Sequence, residues 1–263
     1  MLHTALHTLL ATILLQLSFA VLAQTPEERG LAIATAQKAR VSNWQDAQSD
    51  LKMVLRTASG NTTVREIRVK SLEVADDGDK NLMVFEEPKD VQGTAFLSYS
   101  HIAGPDDQWI YLPALKRVKR IASRTKSGSF MGSEFSYEDL ASFEVAKYDF
   151  KHLRDEACGE HTCHVLEAYP KDDYSGYSKL IFWTEAQDYR TQKIHFYDKK
   201  AALLKIMEVK GYELLDDKHW RPTHSVMSNQ QTGNITELYW SNIRLNTGLS
   251  DSDFSQNNLK RAH

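Results

Sequence analysis

The chain lacks the signatures on which most enzyme chemistry rests. It contains no Gly-x-Ser-x-Gly elbow, no His-Glu-x-x-His helix, no phosphate loop and no dinucleotide fingerprint, so the common hydrolases, zinc proteases, nucleotide hydrolases and dehydrogenases find no footing. Charge of one sign is not in excess: 32 basic residues against 35 acidic ones leave a net charge of −3, which argues against nucleic acid as a partner. Low-complexity linkers, alignable repeats and long runs of like charge are missing too, so nothing divides the chain. Cysteine is scarce, with Cys158 and Cys163 alone, and the one sustained apolar run lies at the N-terminus.

That run, Leu9 to Leu22, is broken by Thr12, Gln16 and Ser18 and ends at Val21-Leu22-Ala23 before Gln24. Small residues at −3 and −1 fit a signal-peptidase site, and the run is too short and too weakly flanked for a membrane span. The region before it departs from the usual pattern, with His3 and His7 but no Lys or Arg, and no Cys follows Ala23 to carry a lipid anchor. These features predict a cleaved signal peptide over 1–23, export to the periplasm and one soluble domain over 24–263. The remaining length of about 240 residues is within the reach of a single all-β core.

Thr25-Pro26-Glu27-Glu28 predicts a capped helix running to about Asn43. From Ala47 onward, short strands alternate with turns such as Ser59-Gly60-Asn61 and Asp76-Asp77-Gly78-Asp79, the spacing of antiparallel hairpins. Ser136 is placed to cap a helix over Tyr137 to Phe143, with Asp139 closing a capping box. Seven aromatic-rich strands follow between Tyr148 and Ile243. Leu180–Trp183 and Leu203–Met207 are apolar on both faces, which calls for a second layer, a covering helix or an apolar lumen.

The stretch Trp109–Leu140 fits no simple pattern. Leu112, Leu115, Val118 and Ile121 recur every three residues, while Lys116, Arg117, Lys119 and Arg120 fall on both faces of a strand; such a conflict marks function or an edge. Tyr111-Leu-Pro-Ala-Leu-Lys-Arg-Val-Lys-Arg-Ile121, the loop Ser127–Ser133 and Phe135-Ser-Tyr-Glu-Asp-Leu140 resemble the outer-membrane lipoprotein-sorting family, LolA/LolB-like periplasmic carriers. Further likeness lies in Cys163–Lys171, Lys179–Trp183 and Leu238–Ile243. The resemblance implies a mainly β (α+β) fold: a curved, incompletely closed antiparallel β-barrel with a helical lid. It also implies a non-enzymatic carrier of lipoprotein acyl chains or other lipids between inner and outer membranes, touching the membrane surface transiently, and association with an RND-type transporter.

Each candidate residue has a plainer reading beside the functional one. Phe182, Trp183, Phe196, Tyr212 and Trp240 are either core or lumen-facing ligand contacts. Lys116, Arg117, Lys119 and Arg120 are either a solvated edge that discourages strand pairing or a rim that docks on headgroups or a protein. The docking rim supports the alternative function, an envelope interaction module that carries no ligand. Ser127–Ser133 reads as a gating loop. Cys158-Gly-Glu-His161-Thr-Cys163-His164 crowds two thiols and two imidazoles together, but not at a standard zinc spacing, and an oxidising compartment favours a Cys158–Cys163 disulfide. Glu138 and Asp139 suit a helix N-terminus better than an acid/base pair. No metal and no cofactor are expected. The carrier reading further predicts an apolar cavity of ~300–1,000 Å³ with few charges among its walls.

Overall fold

The structure, a computed structural model, describes residues 24–260. The expected signal peptide lies outside these residues. Helix α1 (Pro26–Val41) starts on the predicted capping box: the Thr25 hydroxyl accepts from the Glu28 N–H at 3.1 Å, and the Glu28 carboxylate accepts from the Thr25 N–H at 2.9 Å. Six strands follow, β1 (Asp46–Arg56), β2 (Thr62–Leu72), β3 (Lys80–Glu87), β4 (Ala95–Tyr99), β5 (Asp107–Leu112) and β6 (Arg117–Ile121). After a long connection come β7 (Tyr148–Cys158), β8 (His161–Pro170), β9 (Tyr177–Glu185), β10 (Thr191–Asp198), β11 (Leu203–Leu215), β12 (His219–Asn229) and β13 (Ile235–Leu245).

All thirteen join one antiparallel sheet in the order β6-β5-β4-β3-β2-β1-β13-β12-β11-β10-β9-β8-β7. Pairing of β1 with β13 fuses two hairpin series, each of which is local in sequence. It also leaves β6 and β7, neighbours in the chain, as the two free edges of an unclosed barrel. The connection from 122 to 147 must therefore cross the open side.

This crossing segment is a plug. Phe130 is fully buried, with ring centroids 5.1 Å from Phe96, 5.9 Å from Phe85 and 5.6 Å from Tyr137. The Ser127–Ser133 loop is accordingly not a free gate. The Phe130 N–H donates to the Phe135 carbonyl at 2.7 Å, Arg65 donates to the Met131 carbonyl, and the Lys205 ammonium donates to the Glu134 carbonyl at 2.8 Å. Nor does a helix run from Tyr137 to Phe143. Only Tyr137–Leu140 forms a 3₁₀ turn, and Ala141 is already extended. Asp139 does accept from the Ser136 N–H at 2.7 Å, as its position predicts. Beyond the turn the chain bonds to the sheet instead of to itself, with the Ser142 N–H on the Ser100 hydroxyl at 2.8 Å and the Ser142 hydroxyl on Asp79 at 2.9 Å.

Helix α1 lies against β7. A Cβ at Gly30 would stand 2.8 Å from the His152 backbone nitrogen, so helix and strand touch backbone to backbone. The C-terminal tail, which the sequence reading left unassigned, covers part of the outer sheet face. There Phe254 and Leu259, the latter on the short helix α2 (Gln256–Leu259), are buried with Leu82, Val84, Leu97 and Tyr111. Outside β8 and β9, Cys163, Val165 and Trp183 form another small cluster. Of the three covers expected for a second apolar strand face, a second layer, a covering helix or a lumen, the outer face here takes the tail with its short helix and a small cluster of its own. Cys158 and Cys163 are disulfide-bonded across the β7–β8 hairpin, with Cα atoms 5.8 Å apart.

Candidate functional site

Side chains alternate along a strand, so one face of β9–β12 points into the barrel. Phe182 lies opposite Ile194, Ile194 opposite Met207, and Met207 opposite Met227, which makes an apolar row across four strands. Leu180 and Phe196 pair in the next row. Phe143 and Tyr148 face them from beyond the plug, and Lys38 and Val41 from the end of α1. These groups enclose a cavity of about 850 Å³. Val41, Ile102 and Tyr174 belong to its wall and are solvent-exposed, so it reaches the surface.

The wall carries more charge than the sequence reading anticipated. Lys38 meets Glu144 at 2.9 Å, Lys126 meets Asp172 at 2.6 Å, and Lys147 pairs with Asp106. Deeper, Lys205 and Asp139 pair at 2.6 Å with both side chains almost wholly buried. Asp139 also accepts from the Tyr177 hydroxyl at 2.7 Å, and the Lys205 ammonium lies over the Phe196 ring at 5.2 Å. A lone charge in such a place would be costly, and pairing is what makes it tolerable. Burial raises the Glu138 carboxyl, although the Gly176 N–H donates to it at 2.8 Å. Burial, helped by the charge of Asp139, pushes the Tyr177 hydroxyl far up. Glu138 and Asp139 thus each serve a structural partner, and the Phe135–Leu140 motif of the family resemblance anchors the plug.

Of the five lumen candidates, Phe182 and Phe196 line the cavity. Trp183, one residue along β9, faces the opposite side; its indole N–H donates to Glu156 at 2.5 Å and the Lys193 ammonium sits 4.0 Å from the ring centre. Tyr212 is tied down by its hydroxyl, which donates to the Thr191 carbonyl at 2.6 Å, and Trp240 packs on the core opposite Leu51. Neither reaches the cavity wall. Lys116, Arg117, Lys119 and Arg120 are exposed on the β6 edge and the left-handed turn before it, away from the cavity lining, with Arg120 paired to Asp107. The sequence reading did not single out Ile194 or Met227, whose signal was alternation within their strands, and Met207 entered it only as the end of the apolar strand Leu203–Met207.

One further cluster was missed. His152 Nε2 and His164 Nδ1 lie 2.8 and 2.6 Å from the same oxygen of Asp155, and Arg29 of α1 holds the other oxygen at 2.7 Å. These three residue types could ligate a metal. Their polar atoms are already hydrogen-bonded to one another, however, and the group clamps α1 to β7. Burial opposes ionisation of Asp155, but the hydrogen bonds from His164 and His152 prevail and hold the carboxyl at about 2.

An open, half-plugged antiparallel barrel with an apolar cavity beside a helix is the LolA-like architecture. A LolA superfamily protein from Nitrosomonas europaea shares this fold at a TM-score of 0.69 and 20% identity, over 89% of this chain and 99% of that one. A domain from Vibrio parahaemolyticus assigned to outer membrane lipoprotein sorting is 52% identical, with a TM-score of 0.88 over 89% of this chain and 100% of that one. A DUF1329 family protein from Desulfovibrio piger is 30% identical, with a TM-score of 0.85 over 90% of this chain and 100% of that one. A family model described as an uncharacterized protein matches residues 77–261, and no curated protein sequence matches. The chain belongs to the family of these last two relatives, the lipoprotein-sorting domain and the DUF1329 protein, and has a LolA-like fold.

Proposed function

We propose that this protein is a non-enzymatic periplasmic carrier that takes acyl chains of lipoproteins or other lipids into the β9–β12 cavity and passes them between the inner and outer membranes. The observation that carries this reading is the apolar row Phe182–Ile194–Met207–Met227 facing an open cavity of about 850 Å³. Such a volume suits a lipid-sized ligand, and each methylene buried there contributes ~0.8 kcal/mol. The lipoprotein-sorting assignment of the 52%-identical relative supports it. A second reading, docking on an anionic membrane or an RND-type transporter, draws on Leu115, an exposed leucine beside the four basic residues of the β6 edge.

The test is saturable binding of a fluorescent fatty-acid analogue, with competition by unlabelled acyl compounds. Met207→Trp should obstruct the apolar row and weaken binding while leaving the far-UV spectrum and thermal midpoint close to the parent. Absence of saturable binding, or equal binding by Met207→Trp, would leave the docking module as the better account.

A further inference from the structure

We propose that the cavity takes an amphiphile with an oxyanion head, a carboxylate or phosphate, and that Arg221 receives the head. The inference rests on the carrier reading and names its ligand class. Arg221 and Met227 both line the cavity and, six positions apart on β12, stand on the same strand face. The separation is about 20 Å along the strand, so β12 brings a guanidinium to one end of the wall, where Glu73 and Asp79 also line it, and an apolar side chain to the other.

What singles out Arg221 is unmade hydrogen bonding. Its Nε and Nη2 are shielded from solvent and have no hydrogen-bond partner among the described residues. These two atoms form one edge of the guanidinium, the edge whose parallel N–H groups match both oxygens of a carboxylate or phosphate. The Trp44 ring lies 4.6 Å from Cζ, a contact that steadies the charge without supplying an acceptor. Nearby carboxylates are engaged elsewhere. Glu73 accepts from the backbone N–H groups of Asn43, Trp44 and Gln45 at 2.6 to 3.0 Å; Asp79 takes the Ser142 hydroxyl, and Glu144 takes Lys38. Burial raises the Asp79 carboxyl against the pull of Lys38 and Arg221, and burial of Arg221 itself opposes its charge, which Asp79 and Glu73 favour from a distance without a hydrogen bond to it. A half-buried cation whose shielded edge makes no hydrogen bond is costly to keep, and an oxyanion arriving on an acyl chain would reduce that cost.

The experiment compares three ligands of one chain length, a fatty acid, an alkyl phosphate and the fatty alcohol, on the unaltered protein and on Arg221→Gln and Arg221→Lys. The acid and the alkyl phosphate should bind the unaltered protein about tenfold or more tighter than the alcohol. Arg221→Gln should erase that preference and leave alcohol affinity unchanged; Arg221→Lys should restore part of it. Equal affinity for acid and alcohol on the unaltered protein overturns the proposal without any variant, as does an Arg221→Gln variant that weakens all three alike. Displacement of the acid by inorganic phosphate at matching concentrations would assign the site to a small anion and overturn the lipid head. Failure of all three ligands to bind, alcohol included, would sink the carrier reading itself and this inference with it.

Discussion

The two halves of the sheet are built alike, yet one interior is filled and the other is hollow. In β2–β5, Ile67, Phe85, Phe96 and Ile110 point inward, and Phe130 of the plug drops among them. In β9–β12 the same alternation points Leu180, Phe182, Ile194, Phe196 and Met207 inward, and about 850 Å³ is left over them. Strand composition does not make the difference. The crossing segment spends its buried ring on the first half, is pinned midway by Asp139 on Lys205, and then runs along the sheet through Ser142. Whether half a barrel can hold a ligand is thus decided by a segment outside the strands.

The sharpest way to break this comparison is to empty the filled half. Phe130→Ala removes a fully buried ring at a site held by ladder bonds that limit collapse, and should cost about 3–5 kcal/mol in urea unfolding. Met207→Trp, in the hollow half, should cost far less, because space for the larger side chain already exists. A Phe130→Ala loss below ~1 kcal/mol would mean that the plug is loosely seated and that the first half is not filled more tightly than the second.

The strands were legible because alternation and turn chemistry are local, and the stretch at Lys116–Arg120, read as function or an edge, lies on the end strand β6 and the turn before it. What the sequence could not show depends on contacts distant in the chain. Nothing in β1 or β13 announces that they pair, and without that pairing neither the free edges nor the plug can be inferred. Phe254 and Leu259 look like an ordinary tail until the outer face of β3–β5 is known. The His152–Asp155–His164 cluster was hidden for another reason. Residues three apart face opposite sides of a regular strand, and a register shift between His152 and Arg154 brings His152 and Asp155 together. Among the lumen candidates, large aromatics drew attention, whereas the methionines that complete the wall are ordinary strand residues by composition.

The covers of the two halves also differ, and acid should separate them. Buried rings hold the plug, whereas α1 is fixed to β7 partly by the Arg29–Asp155–His152–His164 network. Asp155 is depressed to about 2 against ~3.9 in an unfolded chain, so its contribution is complete above ~4 and is lost as the pH falls towards 2. Amide exchange, corrected for intrinsic rate, should show α1 losing protection over that window while β4 keeps its own. Asp155→Asn should abolish the pH dependence of α1. Equal loss in both regions would show that the clamp has no local role.

The smallest effect on stability is expected at the free edge of the filled half. At the far end of the sheet, α1 packs on β7. Among the described residues β6 has no strand beyond it, and the outward N–H and C=O groups of an edge strand are a template for another chain unless something discourages pairing. Lys116, Arg117, Lys119 and Arg120 are all exposed there, so changing the four to Gln should alter unfolding free energy by no more than about 0.5 kcal/mol. The two readings of the cluster then part. If the charges only guard the edge, the variant should self-associate at high concentration, and its binding to anionic vesicles should match the parent. If they form a docking rim with Leu115, vesicle binding should fall, most clearly at low salt where screening is weakest. Sedimentation of the variant with and without anionic vesicles reads both outcomes in one experiment, and unchanged vesicle binding at low ionic strength would reduce the cluster to edge protection.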